Sequence, residues 1–269
     1  MDQFYEQNRS AWDACVRQKK GYIDSATEED FLNALTVADP QGWLAGDVAG
    51  KRLLCLAAGG GRHSVLFAAA GAQVTVVDLS PQMLELDRKV AAERGLEITI
   101  IQASMHKLSM LPGASFEIIV QPVSSCYVPD VGLVYHEVAR VLAVGGIYIS
   151  HHKQPASLQA QETPSANSKG YLLTEPYYRK GPLPSASPDS LHREAGTIEF
   201  LHRWEELLGG LCHSGFVIED VVEPKHANPK AAPGNFGHRS HFLPPFISIK
   251  ARRTEQRISS ESGRIIYLP

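Results

Sequence analysis

The sequence predicts an α/β fold with a mostly parallel β-sheet, and three observations carry that prediction. An apolar run beginning at Leu53 ends in three consecutive glycines, Gly59–Gly61, and a helix-forming segment follows them. The next β-branched run ends in an acid, Asp78. The alternation of strand-like and helix-like segments then continues to about residue 150. Helices between successive strands favour parallel pairing with right-handed crossovers.

The elements follow in order along the first part of the chain. Residues 1–20 predict a helix, and a second short helix is expected from Glu29 to Val37. Ser80 and Pro81 form a typical helix start, as N-cap and first helical residue. A later helix is capped by Asp130 and is expected to end at Gly145–Gly146. Five strands are predicted here, at Arg52–Ala57, Gln73–Asp78, Glu97–Gln102, Ser115–Pro122 and Ile147–His152.

The second part of the chain does not continue this alternation of strands and helices. Residues 154–198 are rich in Pro, Ser, Gln and Tyr without a clear period, and they are too long for an ordinary loop. We therefore expect a functional insertion or cap there. A helix at Glu199–Ser214, a sixth strand at Phe216–Glu223 and a seventh at Phe246–Ala251 are predicted after it.

Composition excludes several classes of function. The chain has 269 residues, 43% of them hydrophobic, with a net charge of −3, which is typical of a globular protein. A nucleic-acid partner is disfavoured because such proteins usually carry a basic face. No apolar run reaches the ~20 residues that span a bilayer, and the N-terminus lacks the features of a signal peptide. We expect no membrane partner.

The cysteines and histidines point to a reducing compartment and away from a metal. None of the four cysteines is paired at C-x-x-C spacing, which predicts a cytoplasmic protein rather than a disulfide scaffold. His238 and His241 have metal-like spacing, but no third ligand stands at a suitable distance in the sequence. We therefore expect no metal.

The glycine turn indicates a nucleotide-binding βαβ unit, whose second strand ends in an acid that can accept hydrogen bonds from a ribose. A dinucleotide fingerprint requires G-x-G-x-x-G, and Ser64 stands where its third glycine belongs. No phosphate-binding G-x-x-x-x-G-K-S/T run is present. A nicotinamide-dependent Rossmann oxidoreductase is thus the disfavoured alternative.

The stretch from Leu53 to Leu84 resembles the first motifs of class I S-adenosylmethionine-dependent methyltransferases, in particular small-molecule members of type 11. Their turn reads acid-x-G-x-G-x-G. Cys55 falls on the acid, Ala57 on the first glycine, and Gly59 and Gly61 on the other two. Two of these four positions depart from the family pattern. The departures keep a second alternative open, a non-catalytic protein of the same fold that binds S-adenosylmethionine or S-adenosylhomocysteine.

Three further segments resemble the same family. They are Arg140–Gly146, which matches R-V-L-x-x-G-G, Leu211–Phe216, which matches L-x-x-x-G-F, and Asn8–Trp12, which matches N-R-x-x-W. The resemblance implies a Rossmann-like seven-stranded sheet of order 3-2-1-4-5-7-6. It also implies a division of the chain into N-terminal lid helices, a methyltransferase domain with the insertion 154–198, and a tail, at residues 1–45, 46–253 and 254–269.

The resemblance implies S-adenosyl-L-methionine as cofactor, bound beyond the carboxyl ends of the strands, where ligands of open α/β sheets lie. Asp78 would accept hydrogen bonds from the ribose and Leu79 would flank the adenine. The Ser104 hydroxyl would accept a hydrogen bond from the adenine amino group. The expected cofactor-binding residues are Ala57, Gly59, Gly61, Arg62, Asp78, Leu79, Met83, Ser104, Met105, His106, Gln121 and Pro122.

The expected reaction is an in-line displacement that moves the methyl group to a small-molecule acceptor. A general base is needed only if the acceptor must lose a proton. The candidates for a base or acceptor clamp are His151, His152, Glu199, His202, Tyr127 and Tyr177, and of these His151, His202 and Tyr127 are selected as catalytic. His151 and His152 are adjacent on a strand and point to opposite faces, whereas His202 is expected to share a helix face with Glu199. The acceptor, the choice among O-, N- and C-methylation and the oligomeric state are left open.

Overall fold

A seven-stranded sheet forms the centre of the protein, and its order β3-β2-β1-β4-β5-β7-β6 confirms the predicted order. A computed structural model describes residues 2–19, 23–166 and 170–255 of the chain. The strands are β1 (Arg52–Leu56), β2 (Gln73–Asp78), β3 (Ile98–Gln102), β4 (Phe116–Gln121), β5 (Leu142–Lys153), β6 (Phe216–Val222) and β7 (Phe246–Arg253).

The sheet is parallel except for β7, which runs antiparallel to both β5 and β6. Strand β1 lies between β2 and β4 and is covered on both faces, because Leu53 to Leu56 are all fully buried. Successive side chains of a strand point to opposite faces. Accordingly Leu54 and Leu56 pack into one apolar cluster, whereas Leu53 and Cys55 pack into the other. The continuous apolar run in the sequence thus reflects a strand buried on two sides.

The helices lie around this sheet. They are α1 (Asp2–Gln18), α2 (Glu28–Leu32), α3 (Ala34–Ala38), α4 (His63–Ala69), α5 (Pro81–Arg94), α6 (Val131–Val141), α7 (Pro155–Gln159), α8 (Gly210–His213) and α9 (Phe236–Ser240). The predicted caps are confirmed. The Ser80 hydroxyl accepts a hydrogen bond from the Met83 N–H at 3.1 Å, and the Asp130 carboxylate accepts one from the Gly132 N–H at 2.8 Å. None of the helices in these described stretches is long and apolar enough to cross a membrane.

Two predicted helices have different bounds in the structure. The helix expected from Glu29 to Val37 is interrupted at Asn33, which separates α2 from α3. Helix α6 ends at Val141 because Leu142 takes an extended conformation and pairs with Phe116 of β4. The glycine pair at 145–146 therefore lies inside β5 instead of ending the helix. A side chain at Gly146 would come within 3 Å of Leu142 and of two backbone oxygens.

The prediction of a helix over Glu199–Ser214 is wrong for its first five residues. A π-helical turn at Glu205–Gly209 leads into α8, but residues 199–203 are not helical. Their backbone groups bond to other segments, since the Phe200 N–H donates to the Cys126 carbonyl and the Leu183 N–H donates to the Glu199 carbonyl. Glu199 and His202 consequently do not share a helix face.

Helix α1 is fastened on two sides above the carboxyl ends of the strands. The buried Asn8 side chain donates to the carbonyls of Tyr127 and Ile198 and accepts from the Ile198 N–H at 2.6 Å. The Ser80 hydroxyl donates to Asp13 at 2.6 Å, which joins α1 to the start of α5. The position of α1 is thus set by the turn after β4, by α5 and by the last residue of the cap segment, residues 154–198. The predicted tail 254–269 lies, from residue 256 onward, outside the described residues.

We expect Asn8→Ala to lower the free energy of unfolding by about 2 kcal/mol, because it leaves the buried Tyr127 carbonyl and the partly buried backbone groups of residue 198 without their partner. Urea denaturation measures this change. Gln7→Ala is the matched control, since that side chain makes one exposed hydrogen bond, to the Gly196 carbonyl. Equal stabilities of the two variants would contradict the role of Asn8 as the fastening of α1.

Candidate active site

A cavity of about 620 Å³ opens at the carboxyl ends of β1 to β5, beneath α1 and the cap segment. Its wall follows the strand ends in order and is completed by side chains from α1, from the cap segment and from the start of β7. Ten of the residues predicted for the site line this cavity: Ala57, Gly59, Arg62, Asp78, Leu79, Met83, Ser104, Met105, Pro122 and Tyr127.

The turn after β1 has a backbone that few side chains would allow. Ala57 has a φ of 49°, in the left-handed region where glycine is normally favoured, which agrees with its alignment to a glycine of the family motif. At Gly59 a Cβ atom would come within 2.8 Å of the Met83 Cβ and 3.1 Å of the Asp78 side chain. The turn can therefore pack against β2 and α5 only because Gly59 has no side chain.

Two carboxylates hold this turn from below. The Gly59 N–H donates to Asp78 at 2.9 Å, and the Gly60 N–H donates to Asp87 at 2.9 Å. Ser64, at the place of the missing third glycine, donates its hydroxyl to the same Asp87 carboxylate. A pyrophosphate bound here would need these N–H groups and would lie beside two acids. The arrangement therefore disfavours a dinucleotide and favours a ligand without phosphate.

Asp78 combines this structural role with a position in the cavity wall. Its other oxygen accepts a hydrogen bond from the Ser80 N–H at 2.9 Å. Burial raises the pKa of Asp78, and the backbone N–H groups of Ser80 and Gly59 oppose that rise. Donors that favour the charged form keep a buried acid usable as an acceptor for ligand hydroxyls.

Asp87 is a site residue that the sequence reasoning missed. It lies on α5, fully buried, among apolar neighbours such as Leu84, Val90 and Ala91. Burial raises its pKa to about 6, against the opposing effect of the hydrogen bonds from Ser64 and Gly60. An acid on the apolar face of an otherwise regular helix was the signal in the sequence that could have found it.

Ser104, which is predicted to bind the adenine of the cofactor, lies in the cavity wall near the end of β3. The Ser104 hydroxyl lies 2.6 Å from Nδ1 of His106. Burial lowers the pKa of His106, which favours the neutral ring as the acceptor of the Ser104 proton. The Ser104 oxygen then keeps its lone pairs for a ligand. The His106 ring stacks on Tyr5 of α1, with ring centroids 4.3 Å apart.

The opposite end of the cavity contains a buried ionic network. The Tyr127 hydroxyl donates to Glu194 at 2.6 Å, and the Lys153 ammonium donates to Glu194 at 2.8 Å and to Glu199 at 2.5 Å. Arg193 completes the network by binding Glu199. Lys153 ends β5, so the strand-end argument could have included it. Glu194 lies in a segment without periodicity, and no sequence pattern singled it out.

Known proteins resemble this chain along most of its length. Residues 54–150 match the sequence family described as "Methyltransferase domain". The "Uncharacterized methyltransferase YbaJ" of Bacillus subtilis is 34% identical over 219 residues, which cover 80% of this chain and 84% of that protein. The chain belongs to the class I S-adenosylmethionine-dependent methyltransferases. S-adenosylmethionine is its cofactor, and methyl transfer is its reaction.

Two further similarities agree with this assignment. The crystal structure of an S-adenosylmethionine-dependent methyltransferase from Mesorhizobium loti superposes with a TM-score of 0.64 at 26% identity, covering 80% of this chain and 98% of that one. The "Ubiquinone biosynthesis O-methyltransferase" of Xanthomonas oryzae pv. oryzae is 28% identical over 146 residues. These cover 54% of this chain and 57% of that protein.

Three residues predicted to bind the cofactor of this methyltransferase do not line the cavity. Gly61 packs against the backbone of α5, where a Cβ atom would come within 2.8 Å of the Leu86 carbonyl. His106 stacks on α1 behind Ser104. Gln121 is fully buried, donates to Ser124 at 2.9 Å and accepts from the Tyr148 hydroxyl. Each supports a residue or backbone segment of the wall, and direct cofactor contact stays a prediction for all three.

The two histidines predicted as catalytic lie outside the cavity lining. His151 is 2.7 Å from the Ser248 hydroxyl, and burial lowers its pKa to about 4. The ring of His202 is buried, with Nε2 2.9 Å from the Ser125 carbonyl. His152 faces the other side of β5 and bonds to Ser125 and Ser150. Of the three predicted catalytic residues of the methyltransferase, the structure brings Tyr127 alone to the cavity wall.

Asp87 should give the methyltransferase a characteristic pH dependence of stability. Its pKa is raised in the folded state, so between about pH 4 and pH 6 the folded protein holds a proton that the unfolded chain has lost. The stability that this group contributes is present below about pH 4 and is lost as the pH rises through 6. Relative to Asp87→Asn, the wild-type free energy of unfolding should thus fall by on the order of 2 kcal/mol between pH 4 and pH 7.

Urea denaturation at several pH values gives this difference. Glu85→Gln, which changes an exposed carboxylate of the same helix, is the control and should leave the wild-type pH profile unchanged. Parallel profiles for wild type and Asp87→Asn would show that Asp87 does not titrate in this window.

Proposed function

We propose that the enzyme methylates a small-molecule acceptor, which binds beside the methyl donor at the end of the cavity enclosed by α1 and the cap segment. The observation that carries this proposal is the extent of the cavity. It begins at Asp78 and Leu79, continues past Pro122 at the end of β4, and reaches Lys153 and Phe246. One continuous cavity can therefore hold a nucleoside at one end and an acceptor at the other.

The predicted cofactor contacts are part of the proposal. The Asp78 carboxylate would accept hydrogen bonds from the ribose hydroxyls, and Leu79 would flank the adenine. Ser104 and the backbone of Met105 would bind the adenine edge. The side chain of Cys55, at the position of the family's acid, is fully buried beneath the turn and does not line the cavity. We therefore assign it no contact with the cofactor.

Methyl transfer requires little from the protein beyond the correct alignment of the reactants. The leaving group is a neutral thioether, so it needs no acid, and the rate depends on holding nucleophile and methyl group in line. Helix α1 and the cap segment, tied together through Asn8, would exclude water from this geometry.

Two further features support a small acceptor and its setting. The Xanthomonas relative is named for O-methylation in the synthesis of ubiquinone, a small molecule. The four cysteines of this chain are all free thiols, which supports the proposed cytoplasmic location. We also propose that residues 1–45 act as the lid, residues 46–253 as the methyltransferase domain, and residues 254–269 as a separate tail.

Asp78→Asn tests the cofactor site, because the amide keeps the shape of the side chain but loses the charge that binds the ribose hydroxyls. We expect S-adenosylhomocysteine to bind at least about 100-fold more weakly, since each hydrogen bond to a charged group contributes about 1.5–3 kcal/mol. Isothermal titration calorimetry measures the affinity, and circular dichroism checks that the variant is folded. Asp47→Asn, on the exposed loop before β1, is the control, and an affinity unchanged in Asp78→Asn would refute the ribose contact.

A panel of small acceptors tests the function as a whole. The enzyme is incubated with methyl-labelled S-adenosylmethionine and with phenols, catechols, amines, thiols and carbon acids, and labelled products are counted. NADH and NADPH are titrated in parallel and should show no binding. Transfer to any small acceptor supports the proposal. Tight binding of the cofactor without transfer to any class of the panel would contradict a small-molecule acceptor.

A further inference from the structure

The acceptor end of the cavity can be located from the order of the sheet. Strands β2 and β3 lie on one side of β1, and β4, β5 and β7 lie on the other. Lys153 at the end of β5 pairs with Phe246 at the start of β7, and both line the cavity. Because Asp78 ends β2, these residues face the part of the cavity remote from the ribose site.

Glu194 places a carboxylate at this end with one oxygen available. Its Oε2 atom accepts the hydrogen bonds of Tyr127 and Lys153. No other residue that the structure describes donates a hydrogen bond to its Oε1 atom, and the side chain lines the cavity and is only 9% exposed. Burial alone would raise the pKa of Glu194, but the Lys153 charge and the Tyr127 hydroxyl lower it below its usual value. An ionised oxygen in a buried wall, to which no neighbouring residue donates, calls for a donor on the ligand.

The surroundings of this carboxylate are aromatic. The rings of Trp12 and Tyr127 meet edge to face with centroids 5.6 Å apart, and Phe246 lines the same end. The Tyr127 hydroxyl is committed to Glu194, and both burial and that carboxylate raise its pKa, so Tyr127 offers its ring to a ligand and not a base. Flat aromatic surfaces favour a planar, apolar ligand that carries a polar group at one point.

Resting on the small-molecule function proposed above, we propose that the acceptor is an aromatic compound with a hydroxyl or amino group, and that this group donates a hydrogen bond to Oε1 of Glu194. Glu194 is then a catalytic residue contributed by the cap segment. Lys153 and Tyr127 are positioning residues that fix its carboxylate. The inference favours oxygen or nitrogen as the atom methylated, over carbon or sulfur.

The step balances without another reagent. A lone pair of the acceptor oxygen or nitrogen forms the new bond to the methyl carbon, and the carbon–sulfur bond breaks with its electron pair remaining on sulfur. S-adenosylhomocysteine leaves as a neutral thioether. The proton of the acceptor group moves along its hydrogen bond to Glu194 and passes to solvent when the product leaves. Methylation makes the attached proton much more acidic, so a carboxylate of low basicity suffices to take it.

The first experiment measures binding and does not require the natural acceptor. The complex with S-adenosylhomocysteine is titrated with phenol and aniline, and with toluene as a probe of the same shape without the donor, by ligand-observed NMR. We expect phenol and aniline to bind about 10-fold more tightly than toluene, because one hydrogen bond to a charged group separates them. Equal affinities of the three probes in the wild type would overturn the proposal.

Glu194→Gln should abolish this preference while leaving the affinity for S-adenosylhomocysteine unchanged. The variant is expected to fold because Lys153 keeps Glu199 as a partner at 2.5 Å, and thermal unfolding checks this. Tyr127→Phe, which removes one of the two fixed donors, should reduce the preference only partly. Glu175→Gln is the control, since that glutamate also belongs to the cap segment but pairs with Arg179 and does not line the cavity. A preference that survives in Glu194→Gln would overturn the role of Glu194.

Measurements of turnover distinguish a failure of this inference from a failure of the proposed function. With any phenol or aniline that the wild type methylates, Glu194→Gln should lower kcat at least about 100-fold with the KM for S-adenosylmethionine unchanged, and Glu194→Asp should restore part of the rate. Transfer to thiols or carbon acids alone would support the small-molecule function and overturn the inference. Absence of transfer to every class would count against both.

Discussion

The structure of the candidate site depends on the hydrogen bonds between the glycine turn after β1 and two buried carboxylates. A tight turn without side chains exposes backbone N–H groups, and those groups must find acceptors. In a dinucleotide-binding protein the acceptor is the ligand's phosphate. Here Asp78 and Asp87 accept the hydrogen bonds of Gly59 and Gly60 within the protein itself. The turn is thereby fixed before the ligand arrives, and its surroundings are negative, which suits a cofactor that carries a sulfonium cation and no phosphate.

A second buried network joins the end of β5 to the cap segment. Lys153 lies between Glu194 and Glu199, and all three side chains are almost fully buried. Burial alone would lower the pKa of Lys153, but the two glutamates raise it, so the ammonium stays charged. Removing one partner of a buried ion pair typically costs about 3–5 kcal/mol, because the remaining charge is left without compensation. The cap segment, although irregular, is therefore held firmly at Glu194, where it meets the cavity.

The spacing of apolar residues and the residues that begin or end helices made most of the fold predictable. Runs such as 53–56 and 116–121 have strong strand preference, and Ser80, Gly95 and Asp130 define helix ends through local hydrogen bonds that need no tertiary partner. The predictions were wrong where tertiary pairing prevailed. Leu142 belongs to β5 because it pairs with Phe116. Residues 199–203 are not helical because their backbone groups form hydrogen bonds with distant segments.

The candidate site divides in the same way. Residues that follow a strand directly, such as Asp78 and Ser104, were placed correctly in the cavity wall, since parallel strands end at one edge of the sheet. Asp87, Lys153 and Glu194 were missed because each acts through a partner far away in sequence. His151 and His202 have the chemistry of catalytic residues, but their positions in the fold keep them out of the cavity lining.

The sequence by itself determined the family, the sheet order and most of the strand-end residues that line the cavity, because those features follow from short motifs and from local backbone preferences. Only the tertiary structure decided that Asp87 helps to hold the glycine turn and that Lys153 and Glu194 line the cavity. These groups come from α5, from the end of β5 and from a cap without periodicity. Buried charges pair with whichever groups lie close to them in space. Those partners are far apart along the chain, so the sequence does not reveal the pairs.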